Sequence, residues 1–251
     1  MESDMLPSRN CAGHEGYRQL LTALEADFSR PGREVEAVIA DVRDDLKAFG
    51  RHYFLAYARS ICGQPELLEQ VSRRSYLHGN GFYKIVLEDN DLFRLRLHIW
   101  QPGARAEENI HDHRWHFAST VLAGTLETEI WEDGLPGHGE DFDEYLYLSR
   151  SADAEARNLY MGKARVALKQ RIINVPGDAY CMLSSVMHRI VYDGEATIGT
   201  LMCHAKAARN WARTITRRSV EPDVDHSCIS AERLKEVLAS YLRSDSQNGG
   251  T

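Results

Sequence analysis

The sequence predicts a mainly β fold, a sandwich or barrel of short strands with a helical region before it and one helix after it. Three observations carry this. Apolar residues recur at helical spacing over the first 79 residues, the pattern turns to short and often alternating runs between 80 and 215, and helical spacing returns near the end. The expected organisation is a helical region over 1–79 packed on a barrel over 80–215, then a C-terminal helix and disordered tail over 216–251. A chain of 251 residues is long enough to bury a sizeable core.

Each element has its own reason. Residues 1–15 have the composition of a mobile terminus, and Leu20, Leu21, Leu24 and Phe28 then mark a helix from about residue 17. Val35, Val38, Ile39, Val42, Leu46 and Phe49 form a strong amphipathic stripe, with Pro31 near its start and Gly50 near a break. A shorter helix is expected over 65–74. After Asn80-Gly81 come FYKIVLE, LFRLRLHIW, STVLAGTLETEIW, EYLYLS, RVALKQRIINV, DAYCMLS, HRIVYD and TIGTLMCHA, punctuated by Gly, Pro, Asn and Asp. Many short runs at this spacing argue for an all-β sandwich or barrel. Ser230 is placed to cap the helix AERLKEVLASYLR.

Composition narrows the function classes. The formal net charge of −7 gives no electrostatic footprint for nucleic acid or an anionic membrane. No apolar run approaches the roughly 18 residues of a membrane span, and MESDMLPSRN does not read as a signal peptide. The five cysteines are odd in number and scattered without a CxxC, which fits reduced thiols in a cytoplasm. The eleven histidines are the feature that asks for an explanation.

NIHDHRWHFASTVLAGTLE, residues 109–127, crowds three of them into six positions. In an extended segment alternate side chains share a face, so His111 and His113 point the same way, as two ligands to one metal ion would. His188, after a Pro-Gly turn and a strand-like run, is the best third ligand. Three neutral imidazoles suit zinc, iron, copper or nickel and leave coordination positions open. The strand 93–100 adds a second signal. Phe93, Leu95, Leu97 and Ile99 take one face, and Arg94, Arg96, His98 and Trp100 the other. That polar face is either a wet outer surface or the lining of a cavity.

The conjunction of His111, His113, Gly124 and His188 resembles the two motifs of the cupin superfamily, which implies a cupin-type jelly-roll barrel with a metal site. The family's glutamate ligand falls on Phe117, so a site of three histidines is implied. Within cupins, the stretch from YKIVLED through IHDHRWHF to LAGTLETEIW, with AYCMLSSVMHRI, is similar to the cysteine dioxygenase (thiol dioxygenase) family over about residues 17–206. The resemblance implies a mononuclear non-haem iron(II) enzyme that uses O2 on a small amino-acid-like or carboxylate-bearing substrate, with Fe(II) on His111, His113 and His188.

This chain also departs from that pattern. The cysteine that some members cross-link to a tyrosine is replaced by Phe117. The relay after the third ligand is broken, leaving Thr200, Met202 and His204 in alternate positions. Tyr83, Lys84 and Ile85 stand where the family's carboxylate-binding arginine is expected. The resemblance therefore moves Arg96, His98 and Trp100 into the cavity, since a buried arginine is costly unless it meets an anion. Arg96, His98, Trp100 and Tyr83 are the expected substrate-binding residues, and His204 and His116 the expected proton-handling ones. Asp112 and Arg114 are expected in surface or loop hydrogen bonds, Arg189 in a structural role, and His14, His52, His138 and His226 in solvent. The alternative keeps the fold and changes the chemistry to a non-redox lyase, isomerase or hydrolase with Zn, Ni or Mn. A non-enzymatic ligand sensor is a third class. The partners expected are a small molecule and O2, without nucleic acid or membrane.

Overall fold

The computed structural model describes residues 9–104, 108–149, 156–220 and 227–248, with side chains over 13–104, 108–149, 156–220 and 227–244. The chain opens with helices α1 (Arg9–Ser29), α2 (Val35–Gly63) and α3 (Pro65–Ser72). α1 begins well before the expected residue 17, so much of the supposed mobile terminus is helical. Gly13 explains the close packing there: a Cβ on it would lie 2.7 Å from the Ala56 backbone. In α2 the expected break falls on Gly50, which leaves helical geometry at φ 54° and ψ −171°.

Twelve strands follow among the described residues, and the mainly β class is observed. One antiparallel sheet runs in the order β1 (Tyr76–Leu77), β2 (Tyr83–Asp89), β3 (Phe93–Trp100), β11 (Ile198–Ala205), β5 (Phe117–Ala123), β9 (Ala179–Met182). The second closes into a ring of β10 (Met187–Val191), β4 (Ile110–His111), β12 (Trp211–Thr216), β7 (Glu140–Leu148), β8 (Arg157–Asn174) and β6 (Leu126–Asp133). The sequence pattern did not anticipate β1 or β12. β1 has two residues, and WARTIT has a half-buried side chain at most of its positions. The turn between β5 and β6 needs Gly124: its φ is 70°, and a Cβ would meet the Thr197 carbonyl at 2.4 Å.

Helices cover one face of the first sheet. Leu95, Leu97 and Ile99 of β3, Ile85 of β2 and Leu201 of β11 join Leu24, Ile39, Leu46 and Ile61 in one buried cluster. The closing helix α4 (Ala231–Asn248) seals it with Leu234, Val237, Leu238 and Tyr241. Ser230 caps it as expected, its Oγ accepting from the Arg233 N–H at 3.1 Å. The helix runs to Asn248, into part of the tail expected to be disordered. Tyr241 fits because Gly199 faces it, where a Cβ would approach the ring to 2.5 Å. Among the described residues no helix is long and apolar enough to cross a membrane. Four cysteines, Cys62, Cys181, Cys203 and Cys228, are free thiols. The opposite face of this sheet looks into the cavity.

Candidate metal centre

Strand pairing brings the histidines together. His111 in β4 is the direct cross-strand partner of His188 in β10, so their side chains rise on one face, with ring centroids 4.7 Å apart. His113, two residues further, stands 4.9 Å from the first ring and 5.0 Å from the second. One ligand atom from each of the three lies within 4.8 Å of the others, a group that can hold a metal ion. The tautomers suit it. The Asn109 carbonyl lies 2.9 Å from His111 Nδ1, and the Val186 carbonyl 3.2 Å from His188 Nδ1. A proton on Nδ1 bonded to a carbonyl leaves Nε2 unprotonated as the ligand atom. Burial lowers the pKa of all three, to about 4 for His111, to about 3 for His188, and well below the ordinary value for His113. The rings are therefore neutral and ready to ligate near pH 7.

Arg209 fixes the ligand loop. Its guanidinium donates to the His113 carbonyl at 2.8 Å and the Ser184 carbonyl at 2.9 Å, and pairs with Asp112 at 2.6 Å. It also covers the Trp211 ring at 3.9 Å. Asp112 makes hydrogen bonds in this loop, one of the two expected settings, but from a buried position and not the surface: it also accepts from the Arg213 N–H at 2.7 Å. Arg189 is structural as expected, bonded to Glu129, a buried carboxylate that also holds Arg171. Nothing in the sequence period marks Arg209, because it lies in the loop before β12.

A cavity of about 510 Å³ opens over the three histidines, within the range of small-molecule sites. Arg96, His98 and Trp100 line it, so the polar face of β3 is a cavity wall. Arg96 is 3 % exposed, and its Nε has no hydrogen-bond partner. The same holds for His98 Nε2 and Trp100 Nε1, and for Nε1 of Trp115, another lining residue. Arg114 also faces the cavity, its guanidinium 5.0 Å from the Trp115 ring, in place of the expected loop hydrogen bonds.

Tyr83 is a correction. It pairs with Ile99, and so lies on the helical face, where it joins the buried cluster and its hydroxyl accepts from Arg233 Nε at 3.0 Å. Lys84, paired with His98, takes the cavity position instead. Burial lowers its pKa to about 7, with further lowering from Arg96. His116 and His204 are not among the lining residues either. His116 Nδ1 accepts from the Ser184 N–H at 3.2 Å. His204 stacks behind Trp115 at 4.3 Å, with its Nδ1 bonded to the Ala205 carbonyl at 2.7 Å. His14 is not simply solvated, since its Nε2 lies 2.9 Å from Ser60 Oγ. His226 falls outside the described residues.

Glu108 is the acidic group that the sequence did not single out. It lines the cavity, accepts from the Ile190 N–H at 2.9 Å, and has its pKa raised by burial to about 7. It precedes β4 without any periodic signal; its place three residues before His111 is the one hint.

No protein family model matches the sequence, and no curated protein does. Solved structures similar to the chain include a cupin superfamily protein from Desulfitobacterium hafniense, at 13 % identity and TM-score 0.28, covering 51 % of this chain and 80 % of that one. Another is a hydroquinone 1,2-dioxygenase from Sphingomonas sp. TTNP3 with 4-hydroxybenzoate bound, at 11 % and 0.29, covering 56 % and 74 %. A third comes from work on DMSP lyases, at 12 % and 0.33, covering 80 % and 93 %.

Proposed function

We propose that this protein is a mononuclear iron(II) cupin oxygenase that acts with O2 on a small carboxylate-bearing substrate. The observation that supports it is the meeting of three neutral imidazoles, His188 buried and His111 and His113 half-buried, with a cavity several of whose polar donors lack partners. His111, His113 and His188 would hold the metal, which when bound supplies open positions where substrate and dioxygen are brought together.

The chain's own residues do the rest. Arg96 presents a planar donor set to the carboxylate, and Trp115, 5.1 Å from its guanidinium, limits where that group can swing. His98 and Trp100 offer further donors along the same wall. Glu108 faces the cavity with a carboxyl close to half-protonated at neutral pH, and is the group placed to give or take a proton. His204 acts behind this wall by bracing Trp115, a positioning role in place of direct proton transfer.

The test is oxygen uptake by protein loaded with Fe(II), against the same protein loaded with Zn(II), Ni(II) or Mn(II), over a panel of small carboxylates. Uptake confined to the iron form supports the proposal. Turnover without oxygen in another metal form favours a lyase, isomerase or hydrolase on the same site. Free cysteine is expected to react well below the usual range of about 1–10³ per second, because Tyr83, Lys84 and Ile85 stand where the resemblance expects the carboxylate arginine and the relay after the third ligand is broken. Rapid conversion of cysteine to its sulfinic acid would reverse that expectation.

A further inference from the structure

Two basic side chains, Lys84 and Arg96, line the cavity. Lys84 and Arg96 make no ion pair with any described residue. Arg94, by contrast, pairs with Asp89 at 2.5 Å. Lys84 is the cross-strand partner of His98, and Arg96 precedes His98 by two on the same face. That makes them diagonal neighbours with Cα atoms about 7–8 Å apart. Arg96 is buried and Lys84 half-buried; two like charges at this range repel, an arrangement that is relieved once anions join them.

The two cations also sit at different poles. The Lys84 ammonium lies 5.4 Å from the Phe82 ring, and Phe82 stacks on Trp100 at 4.6 Å. The Arg96 guanidinium lies 5.1 Å from Trp115. Each pole adds an unpaired indole N–H nearby, that of Trp100 across the Phe82 ring from Lys84 and that of Trp115 next to Arg96. A cation and an indole donor at each of two places ask for acceptors at both. Each cation has its own aromatic neighbour, so the two present separate donor groups to the cavity.

From this juxtaposition we infer that the site takes a dicarboxylate, one carboxylate at Arg96 and Trp115, the other at Lys84 and Trp100. The inference rests on the reading of this cavity as the substrate site and sharpens its substrate class. An amino acid fits less well, since its ammonium would add a third cation to a cavity that already holds two unpaired ones. Glu108 lines the same cavity and acts on Lys84 electrostatically, but the two form no ion pair.

The experiment is calorimetry under nitrogen on the full chain with its metal, which reads binding without turnover. The probes are succinate, glutarate and adipate against butyrate, valerate and hexanoate, with glutamate and inorganic phosphate as further arms. The best dicarboxylate should bind at least about tenfold more tightly than the monocarboxylate of equal length, the scale expected for a buried charge partner. Lys84→Met should abolish that preference while leaving monocarboxylate binding within about twofold, and Lys84→Arg should retain it. Equal affinity for the two series overturns the inference. So does glutamate binding as well as glutarate, phosphate binding as tightly as the dicarboxylates, or an unchanged preference in Lys84→Met. The comparisons within the unmodified protein decide the matter even if a variant fails to fold. Absence of oxygen uptake with a tightly bound dicarboxylate would count against the oxygenase reading and leave the clamp standing.

Discussion

The six-stranded sheet has two faces built from the same strands, and they obey different rules. On the helical face Ile85, Leu95, Leu97, Ile99 and Leu201 are fully buried against apolar neighbours. On the cavity face the residues interleaved with them are Lys84, Arg96, His98 and Thr200, of which Arg96 and His98 have polar atoms that meet nothing. Burying an apolar side chain is favourable at roughly 25 cal/mol per Å², whereas a buried donor left unpaired costs about 1–3 kcal/mol. Folding alone explains the first face. The second is explained only if something else completes it, and the adjoining histidines say what part of that is.

The largest expected effect breaks the cavity side alone. The protein should carry about one metal ion per chain, and His188→Ala should remove most of it, because two imidazoles are a poor facial set. Elemental analysis together with a thermal melt checks this. Full occupancy in the variant would dissolve the metal centre. Leu97→Ala is the counterpart on the helical face. Leu97 is fully buried, so the substitution should destabilise the protein by about 2–5 kcal/mol while metal content is kept. Urea unfolding gives the first quantity and elemental analysis the second. Loss of metal at unchanged stability would mean that the two faces are not independent.

Arg96→Ala should show the reverse pattern. Carboxylate binding should weaken by tens-fold or more, as when a buried charge loses its partner, with metal and fold retained. Calorimetry reads the affinity, and Leu97→Val serves as the packing control. Unchanged affinity would return β3 to a strand with a merely polar back.

How far the sequence shows this division depends on where periodicity operates. β3 alternates cleanly, so its two faces could be assigned from residue types alone. His111 and His113 were legible because one residue separates them, and His188 because it follows a turn and opens a strand. The error at Tyr83 has a physical cause. Tyr83 can pack or bind through its hydroxyl, so its type does not choose a face; its parity with Ile85, on the helical side, does. The same parity would have found Lys84. Glu108, Asp112 and Arg209 lie outside or at the edge of regular strands, where no period applies. Asp112 and Arg209 are 97 positions apart and meet only through tertiary structure. The helical starts and ends were less legible still: α1 begins before the apolar stripe does, held by the close approach of Gly13 to Ala56.

The smallest expected effect tests whether the cavity wall carries a folding cost of its own. His204 is buried behind Trp115, with Arg96, Arg94 and Lys84 as the charged groups acting on it. Burial first, then Arg96, pushes its pKa well below the ordinary 6.5, against a smaller raising contribution from the Ala205 carbonyl. The folded protein therefore leaves this ring neutral at pH values where the unfolded chain protonates it. Protons bind preferentially to the unfolded state, so stability rises with pH up to about 6.5 and is lost as pH falls below it. A single such group contributes a slope of at most about 1.4 kcal/mol per pH unit. His98, also buried with a lowered pKa, adds a parallel share. His204→Gln keeps a polar group near the Ala205 carbonyl and removes the titration. Urea unfolding of metal-loaded protein at pH 7.0, 6.0 and 5.5 should give a shallower loss in the variant than in the parent. Parallel losses would show that His204 exchanges protons in the folded state as freely as in the unfolded one, and that this side of the wall is open to water.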